Sequence, residues 1–362
     1  MRDLRISIAM TVVVLICIGI VMIYSSTSVY CQQLMGNSFY YLVRHLFFLI
    51  LGLAFAFLIM AIDYRVLRKW AKPLLLSGIF LLMLVLIPGI GKESNGARRW
   101  FQLGTFNVQP SEFVKLAVLI YVSDFLARKK NKIRDFQEGF VPLMAVMGVV
   151  CALIVKQPDL GNSVSIAVLM LVLMFVAGAQ LKHLGLIFLA ALPVVCFLIV
   201  KAPYRMARIM AFLDPWEDSL GIGFQLTQSQ IALGSGGLFG VGLGRSIQKL
   251  FYLPAAHTDF ILSILGEELG LVGTFIVIGL FMFLIWQGSK IAQKTTDDFG
   301  YFLSTGIVAM LGLQAVINIG VSIGALPTKG LPLPFVSYGG SALIANMIAV
   351  GLLLNISRFQ GE

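Results

Sequence analysis

The chain has 362 residues, of which 59% are apolar and only 12% charged, and its mean hydropathy is +0.93. A soluble domain carries roughly 25% charged residues, so this composition cannot cover a water-facing surface, and it excludes both a disordered chain and a disulfide scaffold. The net charge of +10 comes from 27 basic and 17 acidic residues that sit in short gaps between apolar runs. It is an orientation signal rather than a nucleic-acid footprint, and the sequence is that of an integral membrane protein.

Met1 to Arg5 is basic and precedes an apolar run without a small-residue cleavage site, which reads as an uncleaved first span. A helix needs about 20 residues to cross about 30 Å of hydrocarbon. The candidate spans are Ile6–Tyr24, Leu46–Ile62, Leu74–Ile90, Phe113–Leu126, Val141–Val155, Ser163–Gly178, Leu184–Val200, Phe260–Trp286, Tyr301–Gly324 and Ser341–Asn355. The expected fold is therefore all-α and polytopic, with ten transmembrane helices and both termini on one side. The fourth run is short and contains Lys115 and Asp124. Fifteen basic residues, nine of them in the gaps after spans two and four, fall on the side of the termini, so the positive-inside rule makes that side cytoplasmic. No repeat or low-complexity linker interrupts the chain, and a single domain over residues 1–362 is expected.

The segment 202–259 is then a large extracytoplasmic loop between helices 7 and 8. Long loops of this kind are usually functional. Within it, Tyr204–Phe212 has the pattern of an interfacial amphipathic helix, with Arg205 and Arg208 three apart. The glycine-rich stretch Gly234–Gly244 fits neither nucleotide-binding glycine pattern. The four cysteines, Cys17, Cys31, Cys151 and Cys196, form no C-x-x-C pair or Cys/His cluster, so no metal site is expected from them.

Ionisable groups in or beside spans are functional candidates because they are costly unless paired or hydrated. Three clusters stand on the outer side. In the first, Arg98 and Arg99 beside Trp100 serve either as interface anchors or as a phosphate clamp suited to the guanidinium fork. Glu112 and Lys115, three apart on one helical face, form either a packing ion pair or part of a substrate groove. The second is the tight turn Lys156-Gln-Pro-Asp-Leu-Gly161, in which Asp159 reads first as a cap of the following span. In the third, Asp259 stands where the long loop becomes helix, two residues after His257. It is either an N-cap or a partly desolvated carboxylate able to take a proton. Glu267 reads as a buried packing or polar-network residue, and Gly266/Gly270 and Gly320/Gly324 as pairs allowing close helix contact.

Five strings in order, Gln109-Pro-Ser-Glu-Phe, Gln157-Pro-Asp-Leu-Gly, Tyr252-Leu-Pro with His257-Thr-Asp-Phe, Gly266-Glu-Glu-Leu-Gly and Pro334-Phe-Val-Ser-Tyr-Gly-Gly-Ser341, resemble the SEDS family of FtsW, RodA and SpoVE. Ser246–Pro254 and Pro327–Gly330 are similar to the forms of its FtsW division branch, with SpoVE-type sporulation and RodA-type elongation proteins as the neighbouring branches. Ala255 departs from the Glu that many members carry, so no role for that Glu transfers. The resemblance implies a peptidoglycan glycosyltransferase polymerising lipid II on the outer face of the bacterial cytoplasmic membrane at the septum. Its partners would be a class B penicillin-binding protein acting as transpeptidase and other divisome proteins. Asp259 occupies the position of the family's essential aspartate, the expected catalytic base.

That chemistry suits the residues. Outside the membrane no nucleotide-activated sugar is at hand, so a polymerase needs a donor carrying its own leaving group. Outer cations, among them Arg98, Arg99, Lys156, Arg205, Arg208 and Lys329, can neutralise a departing diphosphate. With Arg98, Arg99, Lys156, Arg205 and Lys329, the residues Glu112, Lys115, Asp159 and His257 complete the expected substrate-binding set. A divalent cation, magnesium or manganese, is compatible with a diphosphate, but no motif fixes its ligands. The rival classes are a lipid II flippase, which also suits many spans and intramembrane charges, and a non-catalytic scaffold.

Overall fold

The structure is a computed structural model that describes residues 1–94 and 96–359. A helix is found at each of the ten apolar runs. The first seven are α1 (Arg2–Met35), α2 (Tyr40–Ala61), α3 (Leu67–Leu84), α4 (Pro110–Arg128), α5 (Val141–Lys156), α6 (Leu160–Val176) and α7 (Leu181–Val200). Two more, α8 (Pro203–Leu213) and α9 (Phe224–Ser235), fold inside the long loop. They are followed by α10 (Ile261–Lys294), α11 (Asp298–Ser322) and α12 (Gly340–Phe359). The fold is a mostly helical polytopic one, as expected. Among the described residues, seven helices are long and apolar enough to cross a membrane by length and composition: α1, α2, α5 with the turn before it, α7, α10, α11 and α12. α6 is apolar but shorter, and α3 and α4 carry several charges.

The charges of α4 have a positional reason. All but four of its 19 residues are buried, because it packs among α3, α6, α11 and α12. A helix surrounded by protein need not be apolar to lipid; it needs each charge paired. Glu112 and Lys115 pair at 2.8 Å near one end, and Asp124 meets Arg128 at 2.7 Å and Arg68 at 3.4 Å near the other. At the opposite extreme stands α7, none of whose residues is buried.

A small sheet was absent from the all-helical expectation. β1 (Gly91–Ser94), β2 (Ala97–Leu103) and β3 (Phe106–Val108) form an antiparallel sheet in the order β1-β2-β3, with Gly91 opposite Phe101 and Phe101 opposite Val108. Arg44 of α2 fastens it to the bundle, lying over the Phe106 ring at 5.2 Å and donating to the Thr105 carbonyl.

The two paired-glycine expectations are only half right. Gly266 does permit close approach, since a Cβ there would lie 2.5 Å from Leu233 of α9. Gly324 instead terminates α11 with φ 79°, and Gly270 breaks α10 with φ 69° and ψ −167°, a region essentially reserved for glycine. The break frees backbone groups that apolar surroundings would leave unsatisfied. The glycine-rich stretch satisfies them: the N–H groups of Leu271 and Val272 donate to Gly237 and Leu238 (2.9 and 3.1 Å). In return the carbonyls of Glu267 and Glu268 accept from Val241 and Gly242 (3.0 and 3.1 Å). A Cβ on Gly270 would lie 2.3 Å from the Gly240 nitrogen. Gly270→Ala should therefore cost about 3 kcal/mol or more. Thermal unfolding in detergent should show a clear drop in midpoint, whereas Gly279→Ala, where a Cβ meets nothing within 4 Å, should leave the midpoint unchanged or raise it.

Candidate active site

The break in α10 also aims the segment before it. Residues 246–259 form a strap leading into α10, held from below by two adjacent buried carboxylates. Glu267 accepts from the Ser246 hydroxyl and from the Ile247 N–H (2.9 Å). Glu268 takes Lys249 at 2.8 Å and the hydroxyl of Ser25 of α1 at 2.6 Å. Of the two readings of Glu267, packing or polar network, its hydrogen bonds match the second. The strap carries two non-glycine residues with positive φ, Phe251 (67°) and Ala255 (56°), each costing of order 1–3 kcal/mol, and these anchors hold them in place.

At the end of the strap stands Asp259. Its carbonyl accepts from Nδ2 of Asn318 in α11 (2.9 Å), and the same amide nitrogen donates to the Leu331 carbonyl (2.8 Å), tying the strap to the loop before α12. Its carboxylate is half-buried and faces Gly330, where a Cβ would lie 3.6 Å from Oδ2. Among the described residues no N–H or O–H donates to it, and Phe260 holds the N-cap position of α10; the capping alternative does not apply. Burial pushes its pKa up to about 6, against the pull of Arg208. A carboxyl group tuned toward neutrality and left without a donor is suited to accept a proton.

Next to it, reached through Arg208 and through Gly330 beside Lys329, lies a cationic cavity of about 240 Å³ whose lining does not include Asp259 itself. β2 supplies Arg99, α8 supplies Tyr204, Arg205 and Arg208, and the loop before α12 supplies Thr328 and Lys329; the start of α6 closes one side. Val195 and Ile199 of α7, the helix without a buried residue, form the remaining wall. A second cavity of about 410 Å³ shares Arg99, Pro158, Tyr204 and Arg208 with it. Four cations thus face one carboxylate, Asp159, which is already engaged: it accepts from the Asn162 N–H (3.1 Å), the Asn162 side chain (2.9 Å) and the Gln109 side chain (3.2 Å). It caps α6, as its turn position suggests. Burial lowers the Lys329 pKa.

Of the expected substrate-binding residues, Arg99, Asp159, Arg205 and Lys329 come together here; the others do not line this cavity. Arg98 and Arg99 are divided by the alternation of side chains along a strand. Arg98 pairs with Glu93 at 3.0 Å, while Arg99 turns to the carbonyls of Gln157 (3.0 Å) and Pro158. Glu112 and Lys115 form a buried pair whose Oε2 and Nζ find no hydrogen-bond partner beyond each other, the packing alternative. Lys156 is exposed. His257 belongs to an aromatic cluster, 4.8 Å from Tyr41 and 5.8 Å from Tyr338, where burial lowers its pKa to about 4, and it lines a separate cavity of about 300 Å³ with Tyr30 and Lys249. Arg208, expected only as one of the outer cations, joins the cavity and is the member whose charge reaches Asp259. Its spacing from Arg205 on an amphipathic helix was the available signal.

Fold and site together define a polytopic helical membrane protein with a cationic cavity next to an unpaired aspartate. A family model described as "Cell cycle protein", that of FtsW, RodA and SpoVE, matches residues 5–362. The chain belongs to that family. It is 45% identical over 355 residues (98% of this chain, 97% of the relative) to a protein of Geobacter sp. (strain M18) named "Probable peptidoglycan glycosyltransferase FtsW". It is 45% identical over 346 residues (96% and 94%) to stage V sporulation protein E of Bacillus subtilis (strain 168). Two solved structures share the fold. One is a chain of a peptidoglycan synthase complex described as coordinating polymerization and crosslinking, with a TM-score of 0.80 and 31% identity. The other is the rod shape determining protein RodA of Thermus thermophilus, with a TM-score of 0.72 and 29% identity. Each alignment covers 98% of this chain and 97% of the other.

Proposed function

We infer that this chain is a peptidoglycan glycosyltransferase of cell division, which polymerises lipid II at the outer face of the bacterial cytoplasmic membrane. The observation that carries the reading is the donor-free carboxylate of Asp259 beside a cavity faced by Arg99, Arg205, Arg208 and Lys329. A wall made by α7, with no buried residue, suits a substrate whose diphosphate is fixed to a lipid tail.

In this reading the 4-hydroxyl of the GlcNAc on an incoming lipid II attacks the anomeric carbon of the lipid-linked MurNAc of the growing strand. The new C–O bond forms with inversion as the bond to undecaprenyl diphosphate breaks, and the hydroxyl proton passes to Asp259. The diphosphate leaves as an anion and needs no general acid, so one carboxylate suffices where glycoside hydrolases use two. Cations preset around the leaving group supply the electrostatic stabilisation. Among the described residues no three His, Cys, Asp or Glu side chains stand together to ligate a magnesium or manganese ion; such an ion, if bound with the substrate, would take ligands from the diphosphate oxygens and add to the neutralisation of the leaving group. The crosslinking partner in this reading is a class B penicillin-binding protein, and the site of action is the septum.

Purified chain with its transpeptidase and lipid II should yield glycan strands on a gel. A flippase would instead move labelled lipid II across vesicles without making strands, and a scaffold would do neither. Within this mechanism Arg208→Gln should act twice. It removes the charge that holds the Asp259 pKa down, so the half-maximal pH of the rate should move above about 6. It also removes one diphosphate contact, so the maximal rate should fall by on the order of 10-fold or more. A pH–rate profile separates the two effects.

A further inference from the structure

At the end of the bundle that holds both termini, three arginines converge on one cavity. Arg2 and Arg5 from the start of α1 and Arg358 from the last turn of α12 line about 330 Å³, with Ile6, Met60 and Leu354 beneath them. Nothing in the proposed polymerase reaction uses this place. Other arginines of the chain are spent on carboxylates: Arg65 on Asp63, Arg68 and Arg128 on Asp124, Arg98 on Glu93. Among the described residues Arg2, Arg5 and Arg358 form no ion pair. Asp3 is exposed and takes no part in the lining, which holds no carboxylate.

The lining has two chemistries in register. Guanidinium forks match phosphate oxygens, while Ile6, 52% exposed, together with Met60 and Leu354 offers an apolar floor contributed by α1, α2 and α12. A free phosphate or nucleotide would use the first and leave the second wet. A glycerophospholipid uses both, and basic pockets between membrane helices are a recurrent way of holding such lipids. We propose that this cavity is a binding site for an anionic phospholipid, its phosphodiester held by Arg2, Arg5 and Arg358 and its acyl chains lying along Ile6, Met60 and Leu354. Bound there, the lipid clamps the first helix to the last against α2.

The test is native mass spectrometry of the full chain with phosphatidylglycerol or phosphatidylcholine added in detergent. The wild type should retain phosphatidylglycerol in preference. A cation near an anionic lipid is worth about 5-fold in affinity, so Arg5→Gln with Arg358→Gln should weaken retention roughly 30-fold. Arg65→Gln, an exposed arginine paired elsewhere, should leave it unchanged, and the unfolding midpoint of the double variant without added lipid should match the wild type. Equal retention of both lipids, an equal loss in Arg65→Gln, or displacement of the lipid by millimolar inorganic phosphate would each overturn the proposal.

Discussion

Asp259→Asn should reduce glycan-strand synthesis by 10²–10⁴-fold, the usual worth of a general base, while the purified protein gains stability. The two effects have one origin. Burial raises the folded-state pKa from 3.8 to about 6, so the fold favours the protonated acid. The stabilisation from that proton is complete below about pH 4 and is lost as the pH rises through about 6; above it, carrying the charge costs the fold on the order of 2–3 kcal/mol. Asparagine never carries the charge. Its unfolding midpoint should therefore exceed that of the wild type at pH 8 and converge with it at pH 4. The rate of the wild type follows the opposite form, rising with pH as Asp259 becomes the competent base and levelling off above about pH 7. A variant that polymerised lipid II at the wild-type rate would remove Asp259 from the mechanism. A variant that was inactive but no more stable at pH 8 would show that desolvation does not govern this carboxylate.

The second large effect is expected at the buried anchor beneath the strap. Lys249, Glu268 and Ser25 link the strap, α10 and α1 through contacts of 2.6–3.1 Å, and both ionised side chains are essentially inaccessible. Removing one partner strands the other charge in the interior and costs about 3–5 kcal/mol. Lys249→Met and Glu268→Gln should each lower the unfolding midpoint sharply and lower activity, since the positive φ values at Phe251 and Ala255 depend on the strap being held. The double variant leaves no uncompensated charge and should recover much of the loss. Thermal unfolding of the four proteins in a double-mutant cycle gives the coupling directly. Additive losses would mean that the pair is hydrated and the anchor lies elsewhere.

Much of this site was readable from residue types in order. A carboxylate placed where a polar loop enters an apolar helix, and arginines three apart on an amphipathic stretch, keep their meaning whatever surrounds them, because desolvation and helical periodicity are local. Arg98 and Arg99 show the limit. Neighbours in sequence looked like one clamp, but the sheet sends one to Glu93 and the other toward the Gln157–Pro158 turn. The sheet had its own signal, Asn95-Gly96 between two short polar-apolar runs, which is a hairpin dipeptide. Gly270 had none, since the same G-x-x-x-G spacing serves helix contact and helix rupture alike.

The amino-acid order by itself determined that the chain is a membrane protein, where the helices of its apolar runs lie, and which acid stands at the mouth of the long loop, because hydropathy and periodicity are properties of short windows. Only the tertiary structure decided which charges share a cavity and which are spent on each other: it brought Arg208 within reach of Asp259 and into one cavity with Lys329, closed Glu112 on Lys115, and moved His257 into a separate aromatic cluster. The reason is that pairing and desolvation depend on through-space neighbours contributed by distant segments, and no window of sequence contains them.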